Sequence, residues 1–295
     1  MKPNSFLIGV QKSATSSLYN WISQHPEICA PSSLKDIPFF SDDRLFSQGN
    51  GLFNEVYGKH FKGEKVVFHG NVNYIFFEKG LQRIKTYAPN AKFLMVIRNP
   101  VQRAISAYNF AVKRGIEKKD ISAALKHEQI ILKQGGFQEK SDLTYKEHGL
   151  YYKQLSVFEN YFDLSQICIV EFEDLKTNPN KELTRIFEFF EVDPTFEPEL
   201  KYLNETGAPR NNFINGLIYK ESKIKTFFIK NVISKLFSFD FKVKTKLYLG
   251  KLMTKKIENK INAIPDDILH GLKSYYKSDI DNLEKKLGLD LEHWK

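Results

Sequence analysis

Apolar residues recur along this chain in two alternating periods. Phe6-Leu7-Ile8 is an apolar run too short for a helix, closed by Gly9 and small polar residues. That is the pattern of a buried parallel strand. Past the polar stretch Gln11 to Ser17, Leu18, Trp21 and Ile22 return at helical spacing. The same alternation continues downstream. Lys65 to Gly70 reads as a strand and Glu78 to Tyr87 as an amphipathic helix, with Leu81, Ile84 and Tyr87 on one face. Ala91 to Ile97 is the clearest buried strand. Asn99 then offers a cap and Pro100 a first helical position for a helix through Ala104, Ile105, Tyr108 and Val112. Leu150 to Tyr161 is helical, Gln166 to Val170 a fourth strand, and Asn178 to Phe190 another helix. His25 to Ser33 reads as loop, and 41–63 as an irregular insertion anchored by Phe46, Phe53, Tyr57 and Phe61. Residues 113–147 read as a helical excursion or lid.

Strands alternating with helices predict an α/β fold, a mostly parallel sheet flanked by helices on both faces. Ligands in such folds bind beyond the C-terminal ends of the strands. Gly9 to Ser17, His69 and Arg98 all fall at such ends. The first of these, a tight loop opening a helix, directs backbone N–H groups at one spot and suits an anion. Lys12 adds a positive charge there, and Ser13, Thr15, Ser16 and Ser17 add hydroxyl donors.

The whole formal charge of +9 is carried by residues 219–260, where twelve lysines stand against Glu221, Asp240 and Glu258. Basicity therefore characterises one segment and not the remaining chain. Interleaved Ile224, Phe227, Phe228, Val232, Ile233, Leu236 and Phe237 leave three readings for it. They are a helical pair packed on the domain, a peripheral membrane contact, and a basic wall for a polyanion. No base-stacking or recognition-helix pattern points to nucleic acid. The two cysteines, Cys29 and Cys168, lack metal-ligand spacing and fit free thiols in a reducing compartment. No leader pattern or ~20-residue apolar run appears, so a cytoplasmic protein is the expectation.

The loop departs from the Walker pattern, because its lysine comes too early and no second glycine precedes it. That disfavours the alternative of a P-loop kinase. Gly9-Val10-Gln11-Lys12-Ser13-Ala14-Thr15-Ser16-Ser17-Leu18 resembles instead the 5′-phosphosulfate loop of sulfotransferases that use 3′-phosphoadenylyl sulfate (PAPS). Arg98-Asn99-Pro100-Val101-Gln102-Arg103-Ala104-Ile105-Ser106-Ala107-Tyr108 is similar to that family's 3′-phosphate motif. Lys35-Asp36-Ile37-Pro38-Phe39-Phe40 stands where the heparan-sulfate branch has K-E-x-x-F-F. Shorter matches run through Gly149-Leu150-Tyr151, Ile167 to Pro179 and Leu283 to Trp294.

The resemblance implies one domain over residues 1–295, with a P-loop-like three-layer architecture around four or five parallel strands. The lysine-rich 211–265 would lie on its surface. It implies transfer of a sulfuryl group from PAPS to a hydroxyl or amine, a glycan acceptor being favoured, with no metal required. Lys12 would bind the phosphosulfate and stabilise the leaving charge, while Ser13, Ala14, Thr15, Ser16 and Ser17 hold the 5′-phosphate. Arg98 and Ser106 would hold the 3′-phosphate, and Arg210 would close over the nucleotide. Asp36 stands at the position of the branch's glutamate base. His69 is its rival, because the cytosolic branch uses a histidine base. Arg103 and Tyr108 read as packing residues. Oligomeric state is left open.

Overall fold

In the computed structural model, residues 2–49, 51–202, 208–209, 254–255 and 264–295 are described. Arg210 and nearly all of the lysine-rich 211–265 lie outside them.

Five strands form one parallel sheet: β1 Ser5–Gly9, β2 Ile28–Cys29, β3 Val66–Gly70, β4 Lys92–Ile97 and β5 Ile167–Glu171. Their order is β2-β3-β1-β4-β5, so the chain begins in the middle of the sheet and builds outwards to both sides. Ser5 pairs with Phe68 on one side and Lys92 on the other, and Phe93 pairs with Ile167. The register shifts between Leu7 and Gly9, at the end of β1.

The helices are α1 Thr15–Ile22, α2 Asp43–Phe46, α3 Gly51–His60, α4 Glu78–Tyr87, α5 Pro100–Lys113 and α6 Ile121–Gln134. They continue as α7 Phe137–Leu143, α8 Tyr151–Phe158, α9 Phe172–Thr177, α10 Pro179–Phe190 and α11 Asp266–Leu287. Successive strand residues face opposite ways, which divides the core in two. Phe6 and Ile8 of β1 join Phe93, Met95 and Ile97 of β4 under α3, α4, α5, α8 and α11. Leu7, Leu94, Val96 and Val170 join Leu18, Trp21, Ile22, Ile186, Phe187 and Phe190 under α1 and α10. Helices on both faces of a parallel sheet make the three-layer α/β sandwich that the alternating pattern predicts.

Three elements correct the expectations. Strand β2 lies where loop was read, pairing Ile28 with Val66 and Cys29 with Val67. Two residues are too few to display a period. The insertion 41–63 contains α2 and α3. Phe53 and Tyr57, four residues apart, are both fully buried on one side of α3, whose polar residues dilute the pattern. The 22-residue helix α11 was not anticipated at all. It sends Leu272, Tyr276, Ile280 and Leu283 into the core, and the Gly149 α-carbon packs directly under the Tyr276 ring.

Candidate active site

The C-terminal ends of β1, β3, β4 and β5 lie along one edge of the sheet, and the predicted anion loop leaves from the central one. Gly9 is required there by close packing: a β-carbon on it would come 2.7 Å from Ile75 Cγ2. The Ile75 backbone is itself tied to Ile8 O at 3.1 Å, so it cannot retreat cheaply. After Gly9 the backbone turns through two left-handed residues, Lys12 (φ 73°) and Ala14 (φ 54°). Each costs on the order of 1 kcal/mol for a residue with a β-carbon. Left-handed residues so placed belong to the backbone patterns that can turn N–H groups towards an anion. Ala14 is the N-cap of α1, and its side chain has no acceptor to offer the first turn. The Ser13 hydroxyl is buried in the loop with no hydrogen-bond partner among the described residues.

Arg98 reaches the same loop from the end of β4. Its Nη1 donates to Lys12 O at 2.9 Å, and its guanidinium lies 4.5 Å from the Phe172 ring centre. Tyr151 Oη donates to Arg98 O at 2.7 Å. Glu173 provides the nearby negative charge, its Oε1 accepting from Asn99 N at 3.4 Å. Arg98 Nε is buried, with no hydrogen-bond partner among the described residues. Leaving such a donor unpaired costs about 1–3 kcal/mol.

Between loop and helix lies a cavity of about 370 Å³ lined by Lys12, Arg98, Gln102, Ile105, Ser106, Asn109, Phe110 and Lys113. Among the described residues its lining holds three cations and no carboxylate. Lys12, Arg98 and Ser106 therefore share one cavity, as the two sequence motifs imply. Gln102, Asn109, Phe110 and Lys113 escaped the sequence reading. Gln102 precedes Ser106 by four residues, and Asn109, Phe110 and Lys113 follow it by three, four and seven, so they share one stripe of α5, a signal present in the sequence. Asn99 caps that helix, its side chain accepting from Val101 N and Gln102 N, with Pro100 at the first position.

Burial and the charges of Arg98, Lys113, Arg103 and Arg114 lower the Lys12 ammonium to a pKa of about 8. Its Nζ sits 3.8 Å from the centre of the Phe110 ring. Arg103 is fully buried on the other side of α5, with Nη2 donating to Tyr145 O, as a packing residue would be. Gln11 Nε2 ties the loop to Ser141 O at 3.1 Å, at the end of α7.

The two candidate bases are placed very differently. Asp36 lies at the same sheet edge, one strand from β1, and outside the cavity lining. Its N–H donates to Gly70 O at 2.7 Å, its φ is 65°, and its exposed carboxylate meets Lys35 Nζ at 2.6 Å. His69 has no exposed surface and is ringed by Phe6, Phe40, Phe53 and Tyr74. Burial holds its pKa down at about 3, so it is neutral at physiological pH. Tyr74 Oη donates to Ile37 O at 3.1 Å, which leaves its oxygen to accept from His69 Nε2–H at 2.8 Å. His69 thus offers no nitrogen to the cavity. Through Tyr74 it holds the carbonyl next to Asp36, while Gly70 holds the Asp36 N–H. His69, the rival base in the sequence reading, is thus enclosed in the core and contacts the Asp36 turn through Tyr74.

Glu171, Glu173 and His293 bring potential metal-ligand atoms within 4.8 Å of one another beyond β5. Among the described residues no helix is long and apolar enough to cross a membrane.

Residues 2–209 match the family described as the sulfotransferase domain. Mouse heparan sulfate glucosamine 3-O-sulfotransferase 5 is 26% identical over 204 residues, covering 69% of this chain and 58% of the relative. The Dictyostelium discoideum membrane-associated sulfotransferase kil1 is 24% identical, covering 78% of this chain and 65% of that one. The chain thus spans less than two thirds of these relatives. Among solved structures, a sulfotransferase from Alicyclobacillus acidocaldarius superposes with a TM-score of 0.69 at 23% identity, covering 100% of this chain and 99% of that chain. At that identity the likeness concerns the fold.

Proposed function

Because the chain belongs to the sulfotransferase domain family, we propose that it transfers a sulfuryl group from PAPS to a hydroxyl or amine, on a carbohydrate by preference. The observation that carries this reading is the acid-free cavity shared by Lys12, Arg98 and Ser106. A doubly phosphorylated nucleotide needs such a site, and the unpartnered Arg98 Nε and Ser13 Oγ are donors suited to its oxygens. The preference for a carbohydrate rests on the heparan-sulfate relatives and on Lys35-Asp36 with Phe39-Phe40.

In the reaction, the acceptor oxygen or nitrogen bonds to sulfur as the bond from sulfur to the bridging phosphate oxygen breaks. The acceptor proton passes to a base, and the electron pair leaves on adenosine 3′,5′-bisphosphate. Lys12 meets the charge that builds on the bridging oxygen. The Ser13 to Ser17 loop, with Ala14 at its turn and the Thr15 and Ser16 hydroxyls, takes the 5′-phosphate. Arg98 and Ser106 take the 3′-phosphate, where a planar guanidinium matches two oxygens. Arg210, outside the described residues, is the proposed closing contact.

Asp36 is the proposed base. Aspartate is one methylene shorter than the glutamate of the heparan-sulfate branch. The left-handed turn and the two hydrogen bonds flanking Asp36 supply a fixed backbone from which a short carboxylate works. Asp36→Asn is expected to lower kcat by ~10²-fold or more with little change in donor KM. Retention of full kcat would exclude it as the base.

Ligand binding tests the donor assignment. Adenosine 3′,5′-bisphosphate is expected to raise the melting temperature in proportion to RT ln(1 + [L]/Kd). ATP with magnesium should do much less at equal concentration. The opposite ranking would favour a nucleotide-dependent kinase and sink the proposal.

A further inference from the structure

Phe110 presents an unusual side chain to this cavity. It is only partly buried and joins neither hydrophobic core, although the neighbouring Ala107 and Ala111 are core residues. Packing does not account for it. Its ring is instead approached by two cations, Lys12 Nζ at 3.8 Å from the ring centre and the Arg114 guanidinium at 5.3 Å. An aromatic face attracts cations through its quadrupole, most strongly where water is displaced.

Lys12 needs such a partner. Four positive charges bear most on it: Arg98 from the end of β4, Arg103 and Lys113 from α5, and Arg114 beyond it. Among the described residues no carboxylate forms an ion pair with it, and Asp142 on α7 is directed at Arg114, 3.9 Å away. The Lys12 backbone is fixed by its left-handed turn and by Arg98 on its carbonyl. The remaining freedom is that of the side chain, and among the described residues the ring is the one attractive partner of its ammonium.

We propose that Phe110 is a positioning residue: its ring seats the Lys12 ammonium and keeps it charged until an anionic ligand takes the ring's place. The role of Lys12 in transfer rests on the sulfotransferase reading above, but the seat itself does not.

Trace labelling of Lys12 with acetic anhydride, read by mass spectrometry from neutral to alkaline pH, gives the titration midpoint without donor or acceptor. The wild-type midpoint is expected near 8. Phe110→Leu, which keeps an apolar side chain and removes the quadrupole, should move it about one pH unit lower. Phe110→Tyr, which keeps the ring, should leave it in place. The affinity for adenosine 3′,5′-bisphosphate should then fall at a correspondingly lower pH in the leucine variant. Where circular dichroism shows that Phe110→Leu does not fold, Phe110→Met serves, with the same expected displacement. An unchanged midpoint in the leucine or methionine variant overturns the proposal, as does an equal drop in the tyrosine variant. If the midpoints move as expected but adenosine 3′,5′-bisphosphate does not bind the wild type, the donor assignment fails and the seat stands.

Discussion

Lys12→Ala is expected to reduce sulfuryl transfer by at least ~10²–10³-fold, the range observed when a single stabiliser of developing charge is removed. The chain places one ammonium at the turn of the loop, and the other cavity cations, Arg98 and Lys113, emanate from β4 and α5. Neither can follow the bridging oxygen from the loop side. The fold should not suffer. Lys12 sits partly dehydrated among Arg98, Arg103, Lys113 and Arg114, so removing its charge relieves repulsion. Alanine keeps the β-carbon and hence the existing left-handed strain, neither adding to it nor relieving it. Melting should therefore occur at the wild-type temperature or slightly above it while activity is lost. Transfer from labelled donor to a panel of glycan, lipid and phenolic acceptors measures the first quantity, and calorimetry the second. Activity within a few fold of wild type would remove Lys12 from the chemistry.

Arg98→Ala is expected to weaken adenosine 3′,5′-bisphosphate binding by about 10²-fold, since hydrogen bonds to charged groups contribute roughly 1.5–3 kcal/mol each. Two effects combine. The guanidinium leaves the cavity, and Lys12 O loses the Nη1 contact that shapes the loop. A comparison of ligands separates them. Adenosine 5′-monophosphate, which lacks the 3′-phosphate, should lose only the part due to the loop, and at least about tenfold less than the bisphosphate. Arg98→Lys should recover little, because an ammonium cannot present the planar pair of donors or lie over Phe172 in the same way. Titration calorimetry on the three proteins with both nucleotides reads this directly. Equal losses for the two ligands would mean that Arg98 serves the loop and not the 3′-phosphate.

Much of the scaffold was legible before any coordinates. β1, β3, β4 and β5 are continuous apolar runs because both of their faces are covered, and such runs need no partner to be recognised. Helix α5 announced its own start through Asn99 and Pro100. What escaped was either too short or too diluted. Strand β2 is two residues long and exists because β3 offers it an edge. Among its described side chains, helix α3 buries Phe53, Val56 and Tyr57, set between polar ones.

The site divides along the same line. As candidates, Lys12, Ser13 to Ser17, Arg98 and Ser106 stand out locally, because the loop carries its small residues and its lysine in one short run and Arg98 and Ser106 flank a capped helix start. Phe110, Asn109 and Lys113 needed only the helical period carried two turns past Ser106. His69 could not be judged from its neighbours. It sits among Val66, Val67, Phe68 and Gly70, a context that fits a strand-end base as well as a core histidine.

The amino-acid sequence by itself determined the parallel strands and the loop that opens α1 at the centre of the sheet, and it marked Lys12 and Arg98 separately. Each depends on contacts within a few residues or on a period repeated along one element. Only the tertiary structure separated the surroundings of Asp36 and His69, enclosing the histidine behind Tyr74 and leaving the aspartate exposed on the Gly70 edge. It alone brought the Phe110 ring beneath the Lys12 ammonium. Burial and a ring-to-cation distance are properties of chain segments packed together from about a hundred residues apart, and no local pattern encodes them.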